Sequence, residues 1–133
     1  MEHTADIKFQ AFGKNFEEAL INTSKATFAA VCRDTPIKPV KKRDISLSSR
    51  TKENLVYDLI NEFLFIMDTE SLILSKIETL KVEKEEVYKL SGSAFFDSTK
   101  NYDISGDIKS ATYSEMVIEE KKDEVMIQVV LDI

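Results

Sequence analysis

The chain is 133 residues long, with 43% of its residues hydrophobic and 32% charged. This length favours a single domain over residues 1–133, because domains usually contain roughly 100 to 200 residues. The composition is that of an ordered globular protein. Twenty-four acidic and eighteen basic side chains give a net charge of -6. A surface of that sign repels a phosphate backbone, which argues against direct nucleic-acid binding as the main function.

Cys32 is the single cysteine of the chain, which excludes an intramolecular disulfide and a zinc site built from several thiolates. We interpret it as a small buried hydrophobe beside the first helix. No segment approaches the roughly 18 consecutive apolar residues of a membrane span, and residues 1–6 lack the basic head and apolar run of a secretion signal. These features favour a cytoplasmic protein that does not contact membranes, and we expect it to be a monomer.

The first half of the chain predicts the order strand, helix, strand, helix. Apolar and polar residues alternate over residues 6–11, which is the period of a half-buried strand. Asn15 and Glu18 resemble a capping box and begin the first helix. Two prolines within residues 35–39 end that helix, and a second strand is predicted around residues 44–49.

The second helix has the strongest amphipathic pattern in the sequence. Either Ser49 or Thr51 has a side-chain oxygen that can cap its first turn. Its apolar face comprises Leu55, Val56, Leu59, Ile60, Phe63, Leu64 and Met67. Polar residues occupy the opposite face, so this helix is predicted to pack on a core.

The second half of the chain predicts four strands. A hairpin is predicted from residues 72–83 and 87–96, joined by a charged turn. The apolar residues change parity between Ile77 and Leu80, which indicates a bulge or twist. Residues 97–106 are polar and predict a loop.

Two final strands are predicted at about residues 111–120 and 125–133, joined by a turn at residues 121–124. The order is therefore β-α-β-α-β-β-β-β. We predict an α+β fold in which two helices pack on one face of a largely antiparallel sheet, since that arrangement buries the apolar patterns of both helices and strands.

Three carboxylates are expected to converge if the first and last strands are antiparallel neighbours. They are those of Asp6 and Asp132 and the terminal carboxylate of Ile133. Like charges at such a distance repel unless a cation neutralises them, and calcium and magnesium prefer oxygen ligands. The hypothesis is a divalent-cation site, and the alternative is a set of solvated acids at strand ends.

Two other features are weaker candidates for chemistry. Residues 101–108 imitate the start of an EF-hand loop, but Thr112 stands where that motif needs a bidentate glutamate, and strands are predicted where it needs helices. We therefore interpret the segment as a polar loop. His3 has no paired nucleophile, which favours a structural or exposed residue over a catalytic one.

Five strings of residues recur together in one known family. They are His3-Thr4-Ala5-Asp6-Ile7, Phe16-Glu17-Glu18-Ala19, Asn61-Glu62-Phe63-Leu64 leading to Asp68-Thr69-Glu70, Lys109-Ser110-Ala111-Thr112-Tyr113, and Val129-Val130-Leu131-Asp132-Ile133. In this order and at these separations they resemble the archease family, and the resemblance covers essentially the whole chain.

The resemblance implies an accessory protein and not an enzyme. Archeases activate the RtcB-type RNA ligase of tRNA splicing by promoting its guanylylation and multiple turnover, so RNA is reached only through the ligase. The family binds a divalent cation, typically calcium, through residues that correspond to Asp6, Asp132 and the carboxylate of Ile133. The alternatives are a stand-alone metal-dependent phosphoesterase and a general protein-binding chaperone.

Lys109 lies in the fourth family string and is a candidate contact for a nucleotide phosphate or a ligase carboxylate, although a solvated loop lysine is the alternative. The basic residues of the segment 38–43 are candidate contacts to RNA or the ligase, or simply a solvated loop. The sequence departs from the family at Lys8, where many archeases have glycine, and at Ser114, where many have histidine.

Overall fold

The computed structural model describes residues 6–32, 35–104 and 108–133. The helices and strands are β1 (Asp6–Gly13), α1 (Phe16–Val31), β2 (Lys41–Ser49), α2 (Lys52–Glu70), β3 (Leu72–Lys84), β4 (Tyr88–Ser98), β5 (Ser110–Lys121) and β6 (Glu124–Asp132). A short 3-10 helix, Thr99–Asn101, follows β4. The order β-α-β-α-β-β-β-β and the α+β class predicted from the sequence are confirmed.

The strands form two three-stranded antiparallel sheets, with orders β1-β6-β5 and β2-β4-β3. The sheet expected from the sequence is therefore divided in two. Helix α1 packs against β1, β3 and β6, and α2 packs against β2, β3 and β5. Because each helix contacts strands of both sheets, the helices join the two sheets into one core.

Side-chain oxygens begin both helices. The Asn15 side chain accepts a hydrogen bond from the Glu18 N–H at 2.8 Å, as predicted. At the second helix, Thr51 and not Ser49 is the cap, since its hydroxyl oxygen accepts from the Asn54 N–H at 3.0 Å. Each cap satisfies a backbone donor that the first helical turn leaves unpaired.

Phe63 of α2 is fully buried and links the layers of the core. Its ring meets Phe28 of α1 edge-on, with 6.2 Å between the centroids, and the centroid of Phe96 in β4 lies 5.9 Å away. The apolar face predicted for α2 is confirmed in six of its seven members. Met67 is only partly buried, because Ile66 occupies the core position at that end of the helix.

The pairing of β3 with β4 contains two register shifts, at Leu74/Lys76 and at Ile77/Thr79. The second shift confirms the irregularity predicted between Ile77 and Leu80. At this point the backbone of β3 presses on Gly92 of β4, where an added Cβ would lie 2.1 Å from the carbonyl oxygen of Thr79. The bulge therefore requires a residue without a side chain on the neighbouring strand.

The loop predicted at residues 97–106 begins two residues later than expected, since β4 continues through Ser98. Asp97 is buried and accepts hydrogen bonds from the Tyr102 hydroxyl at 2.7 Å, the Ser98 N–H at 2.8 Å and the Asn101 amide at 3.3 Å. The Tyr102 hydroxyl oxygen accepts from the Lys38 N–H at 2.8 Å. This network fastens the turn after β4 to the segment before β2.

Cys32 is buried at the end of α1, as predicted. Burial raises the pKa of its thiol, and the nearby charge of Asp103 adds to the effect. This environment is that of a packing residue, since reactive cysteines need a lowered pKa. Neither helix has the length and apolar character to cross a membrane within the parts of the chain that the structure covers.

Candidate functional site

Asp6 and Asp132 lie directly opposite each other on neighbouring strands. In the antiparallel pairing of β1 with β6, Asp6 is the partner of Asp132 and Ile7 is the partner of Leu131. Residues that are directly opposite in such a pair point to the same face, with Cβ atoms roughly 4.5 to 5.5 Å apart. The structure therefore brings together the two aspartates that the sequence singled out.

The strand on the other side of β6 adds a third polar residue to this row. Ser110 of β5 is the partner of Asp132, so its hydroxyl is on the same face of the sheet as the two carboxylates. The backbone N–H of Lys109 donates to the carbonyl oxygen of Asp132 at 2.8 Å. Asp6, Asp132 and Ser110 thus form one row across three strands, and we call this row the acid row.

Ile133 directly follows Asp132, and its side chain is partly buried against the core. The participation of its carboxylate in the acid row stays a prediction. His3 lies outside the described residues.

The acid row has the chemistry of a site for a hard cation. Among residues 6–32, 35–104 and 108–133, no group of three or more His, Cys, Asp or Glu side chains is placed to hold a metal ion. The row offers two carboxylates and one hydroxyl, which are oxygen donors only. Such a set fits a divalent cation that keeps part of its water shell. Calcium, with six to eight oxygen ligands, would also need backbone carbonyls, water or the Ile133 carboxylate.

A cleft of about 680 Å³ lies beside the acid row. One wall is the second half of α2 and the other is the segment that leads into β5. It is lined by Asn61, Leu64, Phe65, Met67, Asp68, Thr99, Ile104, Ile108, Lys109 and Ser110. Ser110 belongs to both features, so the cleft borders the strand ends at which the acid row lies.

Lys109 is exposed on the wall of this cleft. Its backbone hydrogen bond to Asp132 fixes it next to the acid row. Across the cleft, Asp68 is exposed on α2. The contact of Lys109 to a phosphate or a carboxylate stays a prediction.

Two residues of α2 shape the site, although the sequence alone assigned them no role. The side-chain oxygen of Asn61 accepts the backbone N–H of Ala111 at 3.0 Å and so holds the start of β5 against the helix. Phe65 lines the cleft with 61% of its surface exposed. An apolar residue on the solvent side of an amphipathic helix is the one local signal that could have indicated this surface.

The fourth family string ends in a bulge. The pairing of β5 with β6 is interrupted between Thr112 and Val117, and Glu115 within the interruption has a left-handed backbone with φ 56°. Tyr113 stacks on Tyr57 of α2, with the ring centroids 4.2 Å apart. The bulge is therefore fastened to the helix on one side.

On its other side the bulge reaches across β6 to β1. Glu115 forms a salt bridge with Lys8 at 2.9 Å, and the Gln128 side chain donates to the Glu115 carbonyl oxygen at 2.7 Å. Lys8 and Ser114 are the two departures from the family pattern, and Ser114 directly precedes Glu115. The two departures therefore lie close together, and Lys8 is on the same face of β1 as Asp6.

The basic segment 38–43 is divided among several environments. Arg43 forms a salt bridge with Glu70 at 2.5 Å, and Lys42 forms one with Glu78 at 3.0 Å. The hydrogen bond from Arg43 lowers the pKa of Glu70. Lys38 and Lys41 are exposed. The segment is therefore partly a loop and partly the beginning of β2, where the sequence predicted a strand only from residue 44.

Comparison with known proteins identifies relatives over the full length of the chain. Its sequence matches the Archease protein family over residues 1–133. It is 33% identical over 135 residues to the archease of Sulfurisphaera tokodaii, with 99% of this chain and 95% of the relative covered. It is 31% identical over 135 residues to the archease of Pyrobaculum neutrophilum, with 99% and 92% covered.

The fold is likewise shared with a solved structure. The solution structure of Methanobacterium thermoautotrophicum protein 1598 matches with a TM-score of 0.81 and 26% identity, over 100% of this chain and 96% of that one. The match at the level of the fold and the match at the level of the sequence both extend from one end of the chain to the other. The chain therefore belongs to the archease family.

Proposed function

We propose that this protein is a metal-binding accessory protein that activates an RtcB-type RNA ligase in tRNA splicing, by promoting guanylylation of the ligase and its multiple turnover. The ligase carries out the chemistry, and this protein is not itself an enzyme. The observation that supports the proposal is the direct cross-strand pairing of Asp6 with Asp132, in a chain whose family is established by its sequence.

Two carboxylates on adjacent strands are a source of repulsion that a divalent cation removes. In the proposed function Asp6 and Asp132 bind the cation, which we take to be calcium, with the Ser110 hydroxyl and the Ile133 carboxylate as further oxygen donors. A bound divalent ion supplies positive charge for phosphate chemistry. The acid row then serves to hold that charge on a surface that is able to approach the ligase.

Lys109 has a separate part in the proposal. Its ammonium group, on the wall of the cleft beside the acid row, is positioned to contact a nucleotide phosphate or a carboxylate of the ligase. The net charge of -6 supports docking on a protein, with RNA reached only through the ligase. We place this activity in the cytoplasm and assign it to the monomer.

The test is multiple-turnover ligation by a purified ligase, with and without this protein. Parent protein is expected to restore turnover after the first round, whereas Asp6→Asn and Asp132→Asn are expected to lose most of the stimulation. Asp123→Asn is the matched control, since Asp123 is an exposed acid in the turn between β5 and β6. If folded Asp6→Asn and Asp132→Asn stimulate as well as the parent, the proposed role of the acid row is wrong.

The same preparations separate the two alternatives. A phosphoesterase would hydrolyse phosphate esters with calcium, magnesium or manganese in the absence of a ligase, whereas an accessory protein shows no turnover alone. A general chaperone would bind many unfolded clients equally well with and without a chelator. Either result would contradict the proposal.

A further inference from the structure

A lysine lies on the same face of the sheet as the acid row, one row further along the strands. Lys8 follows Asp6 by two residues in β1, so its side chain leaves the same face about 6 to 7 Å along the strand. Both residues are exposed. Across the sheet this second row continues through Val130 of β6 to Thr112 of β5. A cation held by the acid row would therefore have an ammonium group on the neighbouring row.

The Lys8 ammonium group is paired with an acid that the irregular part of β5 supplies. It donates to Glu115 Oε1 at 2.9 Å, and Glu115 belongs to the bulge between Thr112 and Val117. The two side chains are 50% and 62% exposed. An ion pair this exposed contributes little to the stability of a fold. Its main physical effect is therefore on the charge of the surface beside the acid row.

The bulge holds Glu115 in a backbone conformation that few residues adopt. Its φ of 56° lies in the left-handed region, which is uncommon for a residue with a Cβ and persists where the surroundings maintain it. The Gln128 amide donates to the Glu115 carbonyl oxygen at 2.7 Å, while its own side-chain oxygen accepts from the Gln10 amide at 2.9 Å. The tyrosine stack holds the other side of the bulge. Contacts on both sides therefore keep the Glu115 carboxylate beside Lys8.

We infer that Lys8 and Glu115 together set the affinity of the acid row for its cation: the ammonium group repels the cation, and the Glu115 carboxylate offsets that repulsion. This role rests on the proposed function, in which the acid row binds a divalent cation. The energy between two charges falls with the distance between them, and exposed charges more than about 10 Å apart are largely screened at 0.1 M salt. A charge on the neighbouring row therefore acts on the cation more strongly than charges elsewhere on the surface.

The experiment measures the calcium affinity of the full chain by titration calorimetry at low salt. Lys8→Met removes the repelling charge and leaves the Glu115 carboxylate unneutralised, so calcium is expected to bind about three- to tenfold more tightly. Glu115→Gln leaves the ammonium group unneutralised, and calcium is expected to bind more weakly by a similar factor. The double variant has no charge at either position and should bind calcium nearly as the parent does. All these differences should shrink as salt is added.

A second ion pair of similar exposure supplies the matched control. Lys89 of β4 and Glu85 of the turn before it are 3.2 Å apart, with side chains 54% and 58% exposed, and they belong to the other sheet. Lys89→Met and Glu85→Gln make the same changes in net charge, and calcium affinity should stay within about twofold of the parent. Lys8→Arg keeps the charge and should bind like the parent.

The charge of the ion gives a further readout, which a purely structural effect of the variants would not change. Because the repulsion is proportional to the charge of the bound ion, trivalent terbium should gain more affinity from Lys8→Met than divalent calcium does. Terbium titrations of the parent and Lys8→Met measure this difference.

Equal calcium affinity in the parent, Lys8→Met and Glu115→Gln would overturn the inference while leaving the cation site itself in place. Equal shifts at the control pair would attribute the effect to net charge and would overturn it too. If the parent binds neither calcium nor terbium, the proposed cation site fails and this role fails with it. Urea unfolding without calcium shows whether each variant is folded. Should Glu115→Gln not fold, Lys8→Met and Lys8→Arg still decide.

Discussion

At the scale of single residues, Asp97 shows how a polar side chain becomes part of the fold. The hydrogen bond from Tyr102 is the main cause of its lowered pKa, and the Ser98 N–H and the Asn101 amide act in the same direction against the effect of burial. The sequence predicts a polar loop at residues 97–106, and residues 101–108 have a false resemblance to an EF-hand loop. Their structural role depends on Lys38, which is 64 residues away from Tyr102 in the chain, so no local pattern could indicate it.

This network predicts a contribution to stability that depends on pH. The pKa of Asp97 is lower in the folded protein than in the unfolded chain, so the folded protein binds fewer protons. The stabilisation is therefore present above about pH 4, the usual aspartate pKa, and is lost as the pH falls through the lowered value. Urea unfolding should show Asp97→Asn as less stable than the parent at neutral pH, with the difference shrinking in acid.

Asp123→Asn serves as the control for this measurement, since it changes an exposed acid outside the network. Tyr102→Phe removes the principal donor and should reproduce part of the effect. A constant difference between parent and Asp97→Asn at all pH values would contradict the explanation.

At the scale of elements, the sequence predicted the features that depend on residues close together in the chain, such as helix starts and strand bulges. Asn15 marked the start of α1, and the parity change after Ile77 marked the bulge in β3. The division into two sheets was not predictable in this way, because it depends on which strands pair and not on where each strand begins. Phe65 differs, because the helical pattern places it outside the apolar face of α2, but the cleft that it lines depends on where the segment before β5 lies.

The bulge of β3 makes Gly92 sensitive to substitution. A Cβ at this position would lie 2.1 Å from the Thr79 carbonyl oxygen, and backbone atoms cannot yield as a flexible side chain can. Gly92→Ala is therefore expected to lower the free energy of unfolding by about 1 to 3 kcal/mol. Ser91→Ala, an exposed neighbour in the same strand, should change it by less than about 0.5 kcal/mol. Denaturant melts of the two variants test this difference.

At the scale of the whole molecule, the acid row was the part of the candidate site most open to prediction. On the sequence alone the pairing of β1 with β6 is an assumption, which the structure confirms, and antiparallel order then places Asp6 beside Asp132. The cleft and Lys109's place on its wall were not predictable, because they depend on the position of α2 relative to β5. The contact of Asn61 with Ala111, which sets that position, joins residues with no shared sequence pattern.

Cation binding to the acid row should be visible as added thermal stability. A ligand that binds only the folded state at about 100 times its Kd stabilises by roughly 2.7 kcal/mol, which for a chain of this size is a rise of roughly 5 to 10 °C in Tm. Calcium is expected to raise the Tm of the parent but not of the variant with both Asp6→Asn and Asp132→Asn. A chelator should reverse the rise, and an equal shift in parent and variant would contradict the site.

The pairing of β6 between β1 and β5 also constrains the order in which this protein can mature. β6 follows every other strand in the chain, so while the ribosome is still translating, β1 has been synthesised but has no neighbour to bond with. The sheet β2-β4-β3 and its helices can assemble during translation, whereas the other sheet must wait. The nascent chain consequently carries an unpaired strand with one apolar face until β6 emerges, and during this interval that strand is exposed to aggregation.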